Sequence, residues 1–169
     1  MQGATVRNIA AEAGISLGAL RHYFSAQEEL LSFAMNLVRE RGEARIRSGS
    51  QLDLPPKEKA FRLLLELVPV NEEKMAEMDV WFAFTHQRNH AKKLSGTEPD
   101  VILSLVEWVL DELDRQGQLR PEVNKELEVE RLYAVVDGLA LHALLEPDRL
   151  GPERLIRVLS SHIDGLCLP

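Results

Sequence analysis

The stretch that decides the fold is Thr5–Phe24, TVRNIAAEAGISLGALRHYF. Thr5 precedes Val6, Ile9, Ala10 and Ala13, an i, i+3, i+4, i+7 stripe along one helical face, and Gly14 stands where a left-handed C-cap is expected. Ser16 is placed to cap a second short helix through Tyr23. Two helices that cross steeply about a short turn impose steric demands at fixed offsets. Ala10 is small where the second helix must come close, and Gly14 supplies the positive φ of the turn. Ile9, Ala13, Ile15, Leu20 and Tyr23 fill the little core between the helices. The spacing predicts a helix-turn-helix unit, whose second helix enters a DNA major groove with its N-terminal residues against base edges.

Working outward, Ser25-Ala-Gln-Glu28 is a capping box that opens a third helix over 26–47, with Leu30, Leu31, Ala34, Leu37 and Val38 along one face. Ser48-Gly-Ser50 and Pro55-Pro56 then read as a break. This divides the chain into a DNA-reading domain, 1–47, and a second domain, 48–169. Helical spacing continues at about 56–68, 73–93, 99–116, 125–146 and 152–167. Pro99 and Pro152 suit first-turn positions, Pro69 ends or kinks its helix, and Gly117, Pro121 and Gly151 mark interruptions. No segment alternates convincingly in the manner of a strand. The expected fold is all-α, a helix-turn-helix domain followed by an antiparallel helical bundle.

The pattern Thr5-Val6-Arg7-x-Ile9-Ala10-x-x-Ala13-Gly14-Ile15-Ser16-x-Gly18-x-Leu20-x-x-Tyr23-Phe24, followed by Glu29-Leu30-Leu31, resembles the DNA-binding domain of the tetracycline-repressor (TetR) family. It covers roughly the first 45 residues. The resemblance implies a homodimeric transcriptional regulator, usually a repressor, that binds a palindromic operator as its DNA partner and is released by a small-molecule effector. The residues expected to meet DNA are Thr5, Arg7, Ser16, Leu17, Gly18, Arg21, His22 and Tyr23. Gly18 costs about 1 kcal/mol of helix propensity relative to Ala, which close approach to the DNA backbone would justify. Arg21 suits a guanine or a phosphate; Ser16, His22 and Tyr23 suit phosphates, which position without specifying sequence. Thr5 serves equally as a plain N-cap or as a phosphate contact at its helix end. Two departures matter. Arg21 and Gln27 replace the family's usual tyrosine and lysine, and only Met1-Gln-Gly-Ala precede Thr5 where the family has a whole amphipathic helix. With that first helix missing, the expectation is weak or absent DNA affinity for the 169-residue chain.

In the second domain, helix 125–146 is apolar almost all the way round in its second half, and 152–167 has similarly broad apolar coverage. Such helices need cover on both sides. One side is expected to be the chain's own core and the other a second copy, in a two-fold arrangement through Leu141, His142, Leu145, Leu155, Val158, Leu159 and His162. Aromatic residues make up only 5% of the chain, and Trp81, Phe82, Phe84, Trp108 and Tyr133 fall on three expected helices of this domain. Core packing is their simplest use. If they line a cavity, the effector residues are Met78, Trp81, Phe84, Thr85, Trp108, Tyr133 and Asp137, with Met75 and Met78 as an adaptable wall. Asp137, in an apolar stretch, needs a partner if buried, and a cationic ligand between it and aromatic faces would supply one. The helix 26–47 would link effector to DNA, each weakening the other's binding.

Composition bounds the rest. With 169 residues, 45% hydrophobic and 28% charged, the chain can bury a real core. Its net charge of −7 disfavours DNA binding by the whole chain, yet residues 1–50 hold six arginines against five glutamates, while 51–169 hold 14 basic against 22 acidic side chains. The single cysteine, Cys167, excludes an internal disulfide. No apolar run approaches the ~20 residues of a membrane span and no signal-like segment opens the chain, so no membrane partner and a cytoplasmic location are expected. His86 and His90 share a helical face but find no third metal ligand, and no phosphate-cradling glycine loop or nucleophile elbow occurs. Neither an enzyme nor a cofactor or metal is expected. The alternative reading is a helical interaction module that no longer binds DNA.

Overall fold

The computed structural model describes residues 27–91 and 100–168, without the side chains of 27, 28 and 86–91. The motif Thr5–Phe24, its eight expected DNA contacts, Ser25 and Pro99 therefore lie outside the described residues, and so do the side chains of His86 and His90. Among the described residues six α-helices follow one another: α1 Gln27–Ser50, α2 Pro56–Leu64, α3 Glu72–Ala91, α4 Val101–Arg115, α5 Lys125–Leu145 and α6 Pro152–Leu166, with a one-turn 3-10 helix at Leu65–Leu67. Among the described residues, pairing of the β type is limited to one isolated antiparallel bridge, Leu119 with Cys167. The all-α expectation holds.

The boundaries follow from local chemistry. α1 continues through Ser48–Ser50, where the sequence suggested a linker. Ser50 Oγ donates to the Arg47 carbonyl at 2.8 Å, which turns the serine back onto its own helix. A Cβ on Gly49 would stand only 3.1 Å from Leu63 Cδ2, so the glycine permits close approach to α2 instead of breaking α1. The break falls at 51–55, and Pro56 opens α2 in the first turn, where a missing N–H costs nothing. Val68, before Pro69, is extended (φ −132°, ψ 147°), as the proline ring demands, and ends the 3-10 turn. α4 is capped by Asp100, whose Oδ1 accepts from the amides of Ile102 and Leu103, both at 3.1 Å. Asn124 caps α5 through Leu127 N. Gly117 (φ 63°) ends α4 in the left-handed conformation, and Pro152 takes the first turn of α6.

By compactness, residues 27–43 and 76–91 group in one unit, and 44–75 with 100–168 in another. In the first unit α1 buries Leu30, Leu31 and Met35 and exposes Phe33 and Leu37, so Leu37 leaves the face the sequence gave it. The second unit is a ring of four helices in which α2 packs on α4 and α6, and α5 packs on the same two. Its core is Leu63, Leu64, Val106, Val109, Leu110, Leu113, Leu132, Val136, Leu155, Leu159 and Ile163. The ring is clasped at its end: Arg120 N donates to Leu166 O at 2.9 Å, Leu168 N to Gln118 O at 2.8 Å, and Arg120 Nε to Cys167 O at 2.9 Å.

Candidate functional site

Two features of the second unit stand out from this core. The first is a polar corner where the start of α4 meets the middle of α5. Asp100 uses one carboxylate oxygen as the α4 cap and offers the other, Oδ2, to the Tyr133 hydroxyl, which donates at 2.9 Å. Asp137 stands one turn beyond Tyr133 on α5, half-buried, and has no ion-pair partner among the described residues. Burial, reinforced by the negative charge of Asp100, raises its carboxyl above the ordinary carboxylate value. Tyr133 is pushed upward too, by burial first, then by its bond to Asp100, then by Asp137 and the other neighbouring acids. No lysine or arginine is paired with Asp100 or Asp137 among the described residues. The corner is therefore a patch of negative charge, exposed at Asp100 and half-buried at Asp137, with a phenol at its centre.

The second feature is an apolar face on α5 and α6. α5 turns Leu132, Val136, Leu139, Ala140 and Ala143 to its own core, yet leaves Leu127 54%, Leu141 39% and Leu145 50% exposed, and Val158 on α6 is 43% exposed. Leu127 and Leu141 are two heptads apart, with Leu145 one turn further on the same side.

The expected interface set divides here. Leu141, Leu145 and Val158 are outward, and so is His142, whose Nδ1 lies 3.3 Å from Glu146. Leu155 and Leu159 are corrections: both are fully buried in the chain's own core, because α6 spends its main apolar stripe on α2 and α5. His162 is also turned inward, with Nε2 2.9 Å from Oε1 of the buried Glu128. Leu127, which was not in the expected set, is outward as well and falls on the same heptad spacing.

The expected effector residues also separate. Trp108, Tyr133 and Asp137 belong to the second unit, whereas Met78, Trp81, Phe84 and Thr85 lie on the part of α3 grouped with the first. Trp108 is exposed. A groove of about 700 Å³ does open between α2 and α6, lined by Phe61, Arg154, Ile156, Arg157, Val158, Ser160, Ser161 and Asp164, and it contains none of the expected effector residues.

Neither feature carries a nucleophile or a metal cluster; among the described residues no group of three His, Cys, Asp or Glu side chains could hold a metal ion. Nor is any described helix long and apolar enough to cross a membrane. A helical ring with a polar corner and an outward apolar face, behind an N-terminal helix-turn-helix pattern, defines the class of ligand-responsive, DNA-binding regulators. The comparisons with known proteins agree. The profile of the C-terminal domain of BetI-type transcriptional repressors matches residues 56–168, and that of bacterial regulatory proteins of the tetR family matches residues 1–33. The chain is 51% identical over 168 residues to the HTH-type transcriptional regulator PksA of Bacillus subtilis (strain 168), covering 99% of this chain and 82% of that protein. It is 27% identical to the regulator BetI of Stenotrophomonas maltophilia (strain R551-3), covering 97% and 83%. A solved transcriptional regulator from Rhodococcus superposes with a TM-score of 0.69 at 28% identity, over 98% of this chain and 86% of that one. The chain belongs to the TetR family, and it is a ligand-responsive, DNA-binding transcriptional regulator. The alternative of a module without DNA binding is not favoured, and the relatives that match almost the whole chain are named as transcriptional regulators, which supports a regulatory role.

Proposed function

We propose that the protein is a repressor that works as a homodimer, holds a palindromic operator through two copies of the 5–24 motif, and releases it when a small molecule binds the second domain. The division of labour is that read from the chain order: residues 1–47 read DNA, with Thr5, Arg7, Ser16, Leu17, Gly18, Arg21, His22 and Tyr23 as contacts, and 48–169 bind effector and partner copy. The observation that carries the reading is the outward face of Leu127, Leu141, Leu145 and Val158. Four exposed branched aliphatic side chains on two adjoining helices are apolar surface that the chain's own core leaves uncovered. A two-fold axis through it matches the symmetry of a palindrome. The test is a joint one. Selected at low salt, to offset the weak affinity expected of the 169-residue chain, DNA drawn by the wild-type chain from a random pool should be two-fold symmetric, and Leu141→Glu with Leu145→Glu should convert the dimer to monomer in sedimentation and abolish selection. Asymmetric selected sequences, or a wild-type monomer, would defeat the proposal.

The polar corner favours a statement about the effector. Two carboxylates with no cation paired to them among the described residues, and a phenol beside them, favour a cationic molecule, with Asp137 and Tyr133 as its contacts and exposed Trp108 as an aromatic face within the same unit. In a thermal-shift panel, quaternary amines should raise the melting temperature and carboxylates should not. Asp137→Asn should remove the response, and a response to carboxylates alone would contradict this assignment.

A further inference from the structure

One charged cluster is used by neither the outward face nor the polar corner. Glu66 sits in the 3-10 turn, between Leu63–Leu64 and Val68, whose side chains are fully buried, so its backbone is anchored in the core of the second unit. Its carboxylate is divided between two cations. Oε2 accepts from Arg45 Nε at 2.7 Å, and Oε1 faces Lys74 Nζ at 3.0 Å. Lys74 also donates to the Leu65 carbonyl at 2.8 Å, and its side chain is only 11% exposed. Exposed ion pairs contribute little, but a part-buried carboxylate shared by two cations resists loss, because its removal leaves two positive charges facing each other.

What gives the cluster a role is where the cations stand. α1 and α3 are the helices that both compact units share; α1 passes from one to the other between Glu43 and Ala44, and α3 between Met75 and Ala76. Arg45 and Lys74 each lie within two residues of their helix's crossing, and α1 is the helix that follows the DNA-reading motif in the chain. We propose that Glu66 is a positioning residue for the DNA response: one carboxylate, seated in the core beside the effector domain's helices, pins both crossing helices and limits how far each swings. A cluster that merely added stability would have no reason to take one cation from each shared helix at its crossing. The role in DNA binding rests on the regulator reading above, whereas the pinning itself does not.

The test separates the two. Spin labels are placed at Ser32→Cys on α1 and Glu153→Cys on α6, in a Cys167→Ser background, with labelled chains diluted in unlabelled protein so that distances are within one chain. The control pair is Asp111→Cys with Glu153→Cys, both in the second unit. Glu66→Gln should broaden the Ser32–Glu153 distance distribution at least about twofold and leave the control pair unchanged, as expected when a hinge is released inside an intact fold. Arg45→Gln should broaden it as well, and Arg45→Lys, which keeps the charge, should restore most of the wild-type width. A distribution as narrow in Glu66→Gln as in wild type overturns the proposal, as does broadening of both pairs together, or a wild-type distribution already as wide as the variant's. Should Glu66→Gln fail to fold, Lys74→Gln gives the same reading with the carboxylate retained. For the DNA arm, a fragment selected by the wild-type chain should bind Glu66→Gln about tenfold more weakly with an unchanged salt slope, because the phosphate contacts are intact and only their placement is lost. Equal affinity overturns the positioning role. If the wild-type chain selects no DNA, the repressor reading fails while the distances still decide the pinning.

Discussion

α4 and α5 pack against each other, and they dispose of their apolar residues in opposite ways. α4 gathers Ile102, Leu105, Val106, Val109, Leu110 and Leu113 into a single buried stripe and gives its outer face to charge, with Trp108 as the exception. α5 buries Leu132, Val136, Leu139, Ala140 and Ala143 and still carries Leu127, Leu141 and Leu145 outside. The first helix is saturated by its own chain; the second has apolar surface left over. A helix that exceeds what its own core can cover is the part of a small domain that looks for another molecule.

The contrast can be broken at either helix. Leu110→Ala on α4 should cost about 2–5 kcal/mol in urea unfolding, since the site is fully enclosed and the cavity has nothing to collapse onto it. Leu141→Ser on α5 should leave unfolding of the isolated chain nearly unchanged, yet weaken self-association about 30-fold, the ordinary cost of truncating a central interface side chain. If the two substitutions were equally destabilising in dilute solution, the outward face would be core after all. Asp100→Ala comes next. It should cost about 1 kcal/mol through the lost cap of α4, and Tyr133→Phe should cost less because the cap survives. The smallest effect is expected at Asp137. Its folded-state carboxyl is raised above 3.8, so the charged form burdens the folded state at neutral pH and the burden lifts as pH falls through the raised value. Asp137→Asn should therefore stabilise the protein at pH 7, and the gain should shrink with acidification and vanish below the unfolded value. A gain that grows on acidification would show that Asp137 is stabilised by a cation.

Helix spans were legible because their punctuation is local: Pro56, Pro69, Pro152 and Gly117 act within a turn of where they stand. Gly49 was misread because its reason is not local. It faces a leucine on another helix, and a sequence shows only that a glycine follows a serine. Leu155 and Leu159 illustrate a second kind of blindness. The i, i+4 stripe of α6 is the same whether it meets the chain's own helices or a second copy, and only the packing of α2 against it decides. The Glu66 cluster joins residues 21 and eight positions away, so no window along the chain contains it. The candidate effector residues were chosen as chemistry without geometry. Two of them, Asp137 and Tyr133, fall in the polar corner, while Asp100, which turns a tyrosine and an acid into a corner, was hidden as an ordinary cap.

The clasp between Arg120 and the segment Leu166–Leu168 has a consequence for the order of events during synthesis. Its hydrogen bonds join positions 47 residues apart, and the helix beside it, α6, is the one that α2 and α5 both need to close the ring. While α6 is still inside the ribosome, Leu63, Leu132 and Val136 have no lid, and the nascent chain presents them to whatever is nearby. The core of the second unit thus closes only once α6 has emerged, and the apolar face of α5 lies over a sealed core from then on.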